Sequence, residues 1–216
     1  MSSKPESAVA SATAEKPTKV MSWEEFYKTT DDANKLMNRV WYCIACSKSD
    51  VAEQKIFWEH WFWKEGEEKK NLSEATAKNP KEACNHTYTL THDDKKEVDW
   101  PIWPLEFAPE QFKMYPTIQL CCCELHPFGL NMQPVAFPKD DSPVQFRVDY
   151  CELMGKPEYF IFVLDPRISE EDMAKEFAKL ETENGVKREW FHYIKWDKNY
   201  EIGSGGEPDI NPKKIR

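Results

Sequence analysis

Residues 56–63 read Ile-Phe-Trp-Glu-His-Trp-Phe-Trp, an aromatic stretch interrupted only by Glu59 and His60. Just upstream, Asp50-Val51-Ala52-Glu53 is typical of a helix start. We therefore expect a helix over 52–70. Its aromatic side chains would surround it almost completely, and a helix that is apolar on several sides must be covered on several sides.

A second helical pattern precedes this stretch. Ser22-Trp23-Glu24-Glu25 matches the Ser-x-x-Glu capping box. Apolar residues then recur at helical spacing as far as Ile44, which predicts one helix, or two short ones, over 23–46. Residues 22–70 are thus predicted to form an antiparallel helical hairpin with spare aromatic surface.

Residues 71–111 are predicted to form an extended, irregular linker. Pro101 and Pro104 restrict the residue before each of them to extended geometry, so 98–107 cannot be a regular helix. The apolar content of that segment favours an extended chain lying across a surface.

The second half of the chain predicts strands and one helix. Ser169 is followed by an acidic first turn, which suits a helix N-terminus, and Gly185 is a natural residue to follow the helix end. The strand-like segments are 116–125, 144–154, 158–164 and 187–196.

The predicted fold class is therefore α+β. It combines an N-terminal helical hairpin, an extended Pro/Trp-rich linker and a small C-terminal β-sheet with one packed helix. The predicted boundaries are a flexible arm at 1–21, the hairpin at 22–70, the linker at 71–111, an α+β domain at 112–198 and a polar C-terminal tail at 199–216.

The composition favours a protein that binds over one that catalyses. The chain holds 12 Phe, 9 Trp and 8 Tyr but only 7 Gly. Catalytic and phosphate-binding loops commonly use glycine where the backbone approaches a ligand, and the sequence has no P-loop, G-x-G-x-x-G or H-E-x-x-H pattern. We therefore expect no enzymatic activity and no cofactor.

The charge pattern excludes two classes of partner. The formal net charge is -9, whereas nucleic acids and anionic membranes select clustered Lys and Arg. No apolar stretch approaches the roughly 18 residues of a membrane span. We expect no nucleic-acid partner and no transmembrane segment, while peripheral association with a membrane complex stays open.

Seven cysteines without a secretory signal indicate a reducing, intracellular compartment and mostly free thiols. Cys43 and Cys46 form a C-x-x-C that falls near the end of a predicted helix, where packing between helices is favoured over dithiol chemistry. The adjacent thiols of Cys121–Cys123 are expected to pack in a core. A zinc site remains an alternative, with Cys43, Cys46, Cys84 and His86 as its candidate ligands.

The leading functional hypothesis is a non-catalytic accessory or structural subunit of a larger multiprotein complex, with an organellar, mitochondrial complex as one setting. Its location would be mitochondrial (peripheral) or cytoplasmic. The alternatives are a zinc- or thiol-dependent protein and an enzyme with a site near His126 or His192. Aromatic residues are enriched at interface hot spots. The predicted partner contacts are Phe57, Trp58, Trp61, Phe62, Trp63, Trp100, Trp103 and Phe107.

Overall fold

The structure is a computed structural model in which residues 13–30, 35–48, 53, 55–69, 72, 83–91, 102–108, 111–120, 123–126, 128–138 and 144–208 are described. The helices are α1 (Trp23–Thr29) and α2 (Glu170–Asn184), with a 3-10 turn at Arg188–Trp190. The strands are β1 (Arg39–Cys46), β2 (Ile56–Trp63), β3 (Cys84–Thr91), β4 (Ile102–Ala108), β5 (Gln111–Met114), β6 (Ile118–Leu120), β7 (Cys123–Leu125), β8 (Leu130–Ala136), β9 (Phe146–Leu153), β10 (Lys156–Val163) and β11 (His192–Tyr193).

Eight antiparallel strands close into an up-and-down barrel. The sheet runs in the order β1, β2, β3, β4, β5, β8, β9, β10, and β10 pairs back onto β1. The β6–β7 hairpin is inserted between β5 and β8, and β11 adds to the end of β1 at Ala45 and Cys46. Closure leaves each barrel strand paired on both sides, so one face of every strand points into a common interior.

The prediction of an α+β fold with a helical hairpin at 22–70 is wrong. Residues 39–46 and 56–63 are strands, and Trp41 lies opposite Glu59 in their antiparallel ladder. The misleading feature of 56–63 is that both faces of β2 carry large apolar side chains. Trp61 faces the interior, while Trp58 on the other face is covered by the C-terminal segment and donates from Nε1 to the Gly205 carbonyl at 3.2 Å. A strand covered on both faces loses its apolar–polar alternation, so periodicity cannot separate it from a buried helix.

The segment predicted as the linker 71–111 also contributes to the barrel. It holds β3 and β4 and the first residue of β5, and β3 pairs with β2 along its whole length. Pro104 lies opposite Asn85 within this sheet. The extended backbone at 102–107 was predicted correctly, but its neighbours are strands of the same chain.

One end of the barrel is closed by the N-terminal helix, whose capping box at Ser22 and Glu25 is confirmed. Phe26 of α1 is buried against Phe112 and Phe137, with ring centroids 6.2 and 5.7 Å apart. This end, which we call the base, is thus sealed by apolar side chains.

The predicted helix at Ser169–Gly185 is confirmed and covers the outer face of β9 and β10. Phe177 packs against Phe146 and Phe191, with ring centroids 6.0 and 5.3 Å apart. Gly185 ends α2 at φ 69°, and a Cβ there would meet Thr18 at 2.7 Å. A glycine is required by both the backbone angle and the close approach of the N-terminal arm.

Two other strand predictions need correction in detail. Segment 116–125 forms the β6–β7 hairpin instead of one strand, with Cys121 and Cys122 outside the described residues. Segment 187–196 contains a 3-10 turn and only two strand residues. The strands predicted at 144–154 and 158–164 are confirmed. No helix within the described ranges is long and apolar enough to cross a membrane.

Replacing Phe177 with alanine is expected to lower the free energy of unfolding by about 3–5 kcal/mol, because a buried ring is removed from the interface between α2 and the barrel. Urea unfolding followed by circular dichroism measures the change. The matched control is Glu183→Ala on the exposed face of the same helix, expected within about 0.5 kcal/mol of the parent. Equal effects of the two substitutions would contradict this packing.

Candidate ligand-binding cavity

The barrel encloses a cavity of about 200 Å³ in the half away from the base. In an antiparallel barrel the end of β1, the start of β2 and the end of β3 lie at the same end. We call it the open end because the part of the chain that the structure describes places no helix across it. Side chains from this half form the cavity wall. They are Lys48, Phe57, Glu59, Trp61, His86, Tyr88, Leu90, Trp103, Met114, Leu130, Met132, Asp149, Cys151, Leu153, Glu158, Phe160 and Phe162.

Aromatic rings make up much of the wall. Phe57 lies 6.4 Å from Phe160 and 6.5 Å from Tyr88, measured between ring centroids. Tyr88 in turn makes an edge-to-face contact with Trp103 at 5.0 Å. These residues come from β2, β3, β4 and β10, so the rings surround the cavity on several sides.

The floor of the cavity is polar. Glu59, His86 and Asp149 line it, and all three are buried in an otherwise apolar interior. His86 Nε2 lies 3.1 Å from Glu59 Oε2; because the carboxylate can only accept, this contact places the proton on Nε2. Within the described residues, His86 Nδ1 has no hydrogen-bond partner.

Beneath the floor, Arg147 holds both acids. Its Nη2 donates to Asp149 Oδ2 at 2.9 Å and also contacts Glu59 Oε1. The guanidinium carbon lies 4.7 Å from the Trp41 ring centroid and 4.4 Å from that of Phe162. Arg147 is therefore a buried cation enclosed by aromatic faces and paired with carboxylates. We call Glu59, His86, Arg147 and Asp149 the floor cluster.

The two acids of the floor cluster differ in pKa. Burial alone would raise the pKa of Glu59, but the Arg147 guanidinium and the His86 N–H hold it at about 2. Burial raises the pKa of Asp149 to about 6, because the single attraction of Arg147 is offset by the neighbouring Glu59 carboxylate. Of the two acids, Asp149 is consequently the one that titrates nearer neutral pH.

The four candidate zinc ligands predicted from the sequence all lie within the described residues. Cys43, Cys84 and His86 lie on interior faces of β1 and β3, and Cys46 ends β1. In the described part of the chain, no group of three or more His, Cys, Asp or Glu side chains is arranged to hold a metal ion. Burial raises the pKa of Cys43, and Cys84 is affected in the same direction, so both favour the neutral thiol.

The residues predicted as partner contacts are spread over the barrel. Phe57, Trp61 and Trp103 line the cavity, Trp63 and Phe107 lie in the core nearer the base, and Trp100 falls outside the described residues. Trp58 is buried on the outer face, and Phe62 stacks against His60. The histidines considered for catalysis do not contribute to the cavity wall: His126 follows β7, and His192 lies in β11.

Sequence reasoning missed Glu59, Arg147 and Asp149. Arg147 and Asp149 alternate with apolar Phe146, Val148 and Tyr150, which resembles the pattern of a strand with one face in water. The pattern is inverted here because α2 covers the apolar face and the charged residues point inward. The useful signal was charge complementarity with Glu59, a lone acid among aromatic residues.

Comparison of the sequence with known protein families and with curated proteins finds no match. The description of the site therefore depends on the geometry of the barrel itself.

As the pH rises from about 4 to about 6.5, we expect the ionisation of Asp149 to lower the free energy of unfolding. The pKa of this acid is raised in the folded state, so the folded protein binds the proton more tightly and loses stability as pH rises through that window. The pKa of Glu59 is lowered to about 2, so this acid affects the stability only below about pH 4.5. There its contribution to the stability is lost as the pH falls. The free energy of unfolding of Asp149→Asn, measured relative to that of wild type, should rise by about 2–3 kcal/mol between pH 4 and pH 6.5.

Urea unfolding of both proteins at half-unit pH steps measures this difference. The matched control is Asp165→Asn, an exposed carboxylate whose pKa is lowered by Arg167, which should show no gain in this window. A constant difference between wild type and Asp149→Asn would mean that Asp149 ionises in the folded protein as it does in the unfolded chain.

Proposed function

We propose that this protein binds a small molecule with an apolar body inside the barrel. The observation that carries the proposal is the cavity above the floor cluster, which is walled by aromatic and aliphatic side chains and ends on a few polar groups. Eight-stranded barrels are just wide enough either to be filled by side chains or to hold one small ligand. A concave apolar site with a small number of convergent polar groups is the usual form of a ligand site.

The cavity size indicates the size of the ligand. An apolar protein cavity of about 150 Å³ accommodates a molecule as large as benzene. The cavity of about 200 Å³ therefore suits one ring with a short side chain. Larger ligands would have to extend towards the open end.

The open end carries exposed apolar side chains. Leu90, which lines the cavity, is 37% exposed, Ile102 at the start of β4 is 55% exposed and Met154 in the β9–β10 turn is 96% exposed. Phe128, just before β8, is 53% exposed. An apolar rim next to an apolar cavity supports entry of an apolar ligand at this end.

We expect 2-phenylethanol to bind with a dissociation constant on the order of 10–1000 μM, which is ordinary for a ligand of about nine heavy atoms. Isothermal titration calorimetry at pH 7.5 measures it. Met114→Trp places a larger side chain in the cavity wall and should weaken binding at least tenfold. The control Ile202→Trp makes a comparable enlargement at an exposed position in the C-terminal segment, outside the cavity wall, and should leave binding within about twofold of the parent. Absence of binding to the wild type at millimolar ligand, or equal affinity of the two variants, would overturn the proposal.

The role as a non-catalytic accessory subunit, the absence of enzymatic activity and the mitochondrial or cytoplasmic location stay predictions from the sequence. Native purification from the source cells followed by mass spectrometry tests the subunit role. Recovery with a second protein at fixed stoichiometry would support it, and recovery of the chain alone would contradict it. Ligand binding in the barrel is compatible with either outcome.

A further inference from the structure

The floor cluster has two carboxylates for one guanidinium. Glu59 and Asp149 supply the carboxylates, and Arg147 supplies the guanidinium. His86 donates from Nε2 to Glu59, and its Nδ1 has no hydrogen-bond partner in the described structure. With both acids ionised, the carboxylates outnumber the guanidinium at the bottom of an apolar cavity, where unpaired charges are costly.

The two carboxylates of the floor cluster face the cavity. Glu59 and Asp149 line the cavity, whereas Arg147 does not. The guanidinium carbon is within 4.9 Å of the Trp61 ring centroid, and Trp41 and Phe162 cover it as well. The wall nearer the open end carries one cation, Lys48, and one carboxylate, Glu158. A molecule that reaches the floor therefore meets two carboxylates, and the guanidinium lies behind them.

The walls also suit a positive charge. Aromatic faces are electron-rich and attract ammonium groups within about 6 Å of the ring centroid. Phe57, Tyr88 and Trp103 lie on one side of the cavity, and Phe160 and Phe162 lie on another. In such an aromatic enclosure the acid at one end can pair with the charge of an organic cation, and the rings can contact its apolar body.

We propose that the cavity selects a small organic cation, with an ammonium group at the Asp149 carboxylate and an apolar body among the aromatic rings. Asp149 is the acid of choice because its one partner within the described residues is the Arg147 Nη2, whereas Glu59 is engaged by both His86 and Arg147. This inference rests on the proposed function, since it assumes that the barrel binds a small molecule.

The proposal implies a pH dependence set by Asp149. The other titratable groups facing it are Arg147 and Cys151 on β9, Glu59 on β2, His86 and Tyr88 on β3, Glu158 on β10 and Lys48 after β1. The cavity residues contributed by β4, β5 and β8 do not titrate. Because burial raises the pKa of Asp149 to about 6, protonation below that pH removes the negative charge of Asp149 and with it the preference for a cation.

Three probes test the selectivity: 2-phenylethylamine, 2-phenylethanol and 3-phenylpropionate. They share a phenyl ring on a two-carbon chain and differ in the terminal group. Each is titrated calorimetrically into the whole chain. At pH 7.5 the amine should bind at least about tenfold tighter than the alcohol, the difference expected from one charge-assisted hydrogen bond, and the propionate should bind more weakly than the alcohol. At pH 5 the amine and the alcohol should bind within about threefold of each other.

The variant Asp149→Asn should remove the preference, leaving the amine and the alcohol within about threefold at pH 7.5. The matched control Asp165→Asn, at the base end of β10 and outside the cavity wall, should retain it. The wild-type titrations at the two pH values decide the question even if Asp149→Asn fails to fold.

The outcomes separate this inference from the proposed function. Equal binding of the alcohol and the amine to wild type at pH 7.5 overturns the cation preference and leaves ligand binding intact. Tightest binding of the propionate also overturns it and assigns the site to an anion, with Lys48 as the cation in the cavity wall. Failure of all three probes to bind at millimolar concentration overturns the proposed function and this inference with it.

Discussion

The burial of Arg147 is the constraint on which the rest of the interior depends. Its guanidinium joins β9 to Glu59 on β2 across the barrel, and rings from β1, β2 and β10 enclose it. A charge in such a place is costly unless carboxylates neutralise it. Both carboxylates contact Nη2, whereas Nε and Nη1 have no hydrogen-bond partner among the described residues. Arg147 therefore fixes the positions of Glu59 and Asp149, and these in turn divide the interior into an apolar base and a cavity with a polar floor.

This division concerns stability and the proposed ligand binding together. Below the floor cluster, Phe26, Phe107 and Phe112 fill the barrel with apolar side chains. Above it, the wall residues leave a cavity, although filling it with larger side chains would remove more apolar surface from water. Natural cores are close-packed, so a cavity bordered by buried charges is an exception to ordinary packing. The exception is physically reasonable when a ligand supplies the missing contacts and charge.

Local signals in the sequence were sufficient for some elements and insufficient for the barrel. The helix α2 was predictable because Ser169, its acidic first turn and Gly185 act within a few residues of chain. The strands β9 and β10 were predictable from composition. The strand β2 was not, because Trp58 is covered by residues near 205, about 147 positions away in sequence. Coverage by distant segments removes the alternation that identifies a strand, and no window of local sequence contains that information. The floor cluster was hidden for the same reason, since its members come from three separate strands.

The excess of aromatic residues and the shortage of glycine also have a structural explanation. Aromatic side chains form two separate apolar layers. One lies inside the barrel, around Arg147 and the cavity. The other lies outside it, where α2 and the C-terminal segment cover the strands. The curvature of a closed sheet is commonly introduced by glycines or by β-bulges. Here two register shifts, between Cys43 and Ala45 and between Pro134 and Ala136, provide local irregularity in β1 and β8 without glycine. Scarcity of glycine therefore says little about catalysis in this protein. The aromatic residues say more, because Phe57, Tyr88 and Trp103 form much of the cavity wall and set the shape and chemistry of the space inside the barrel.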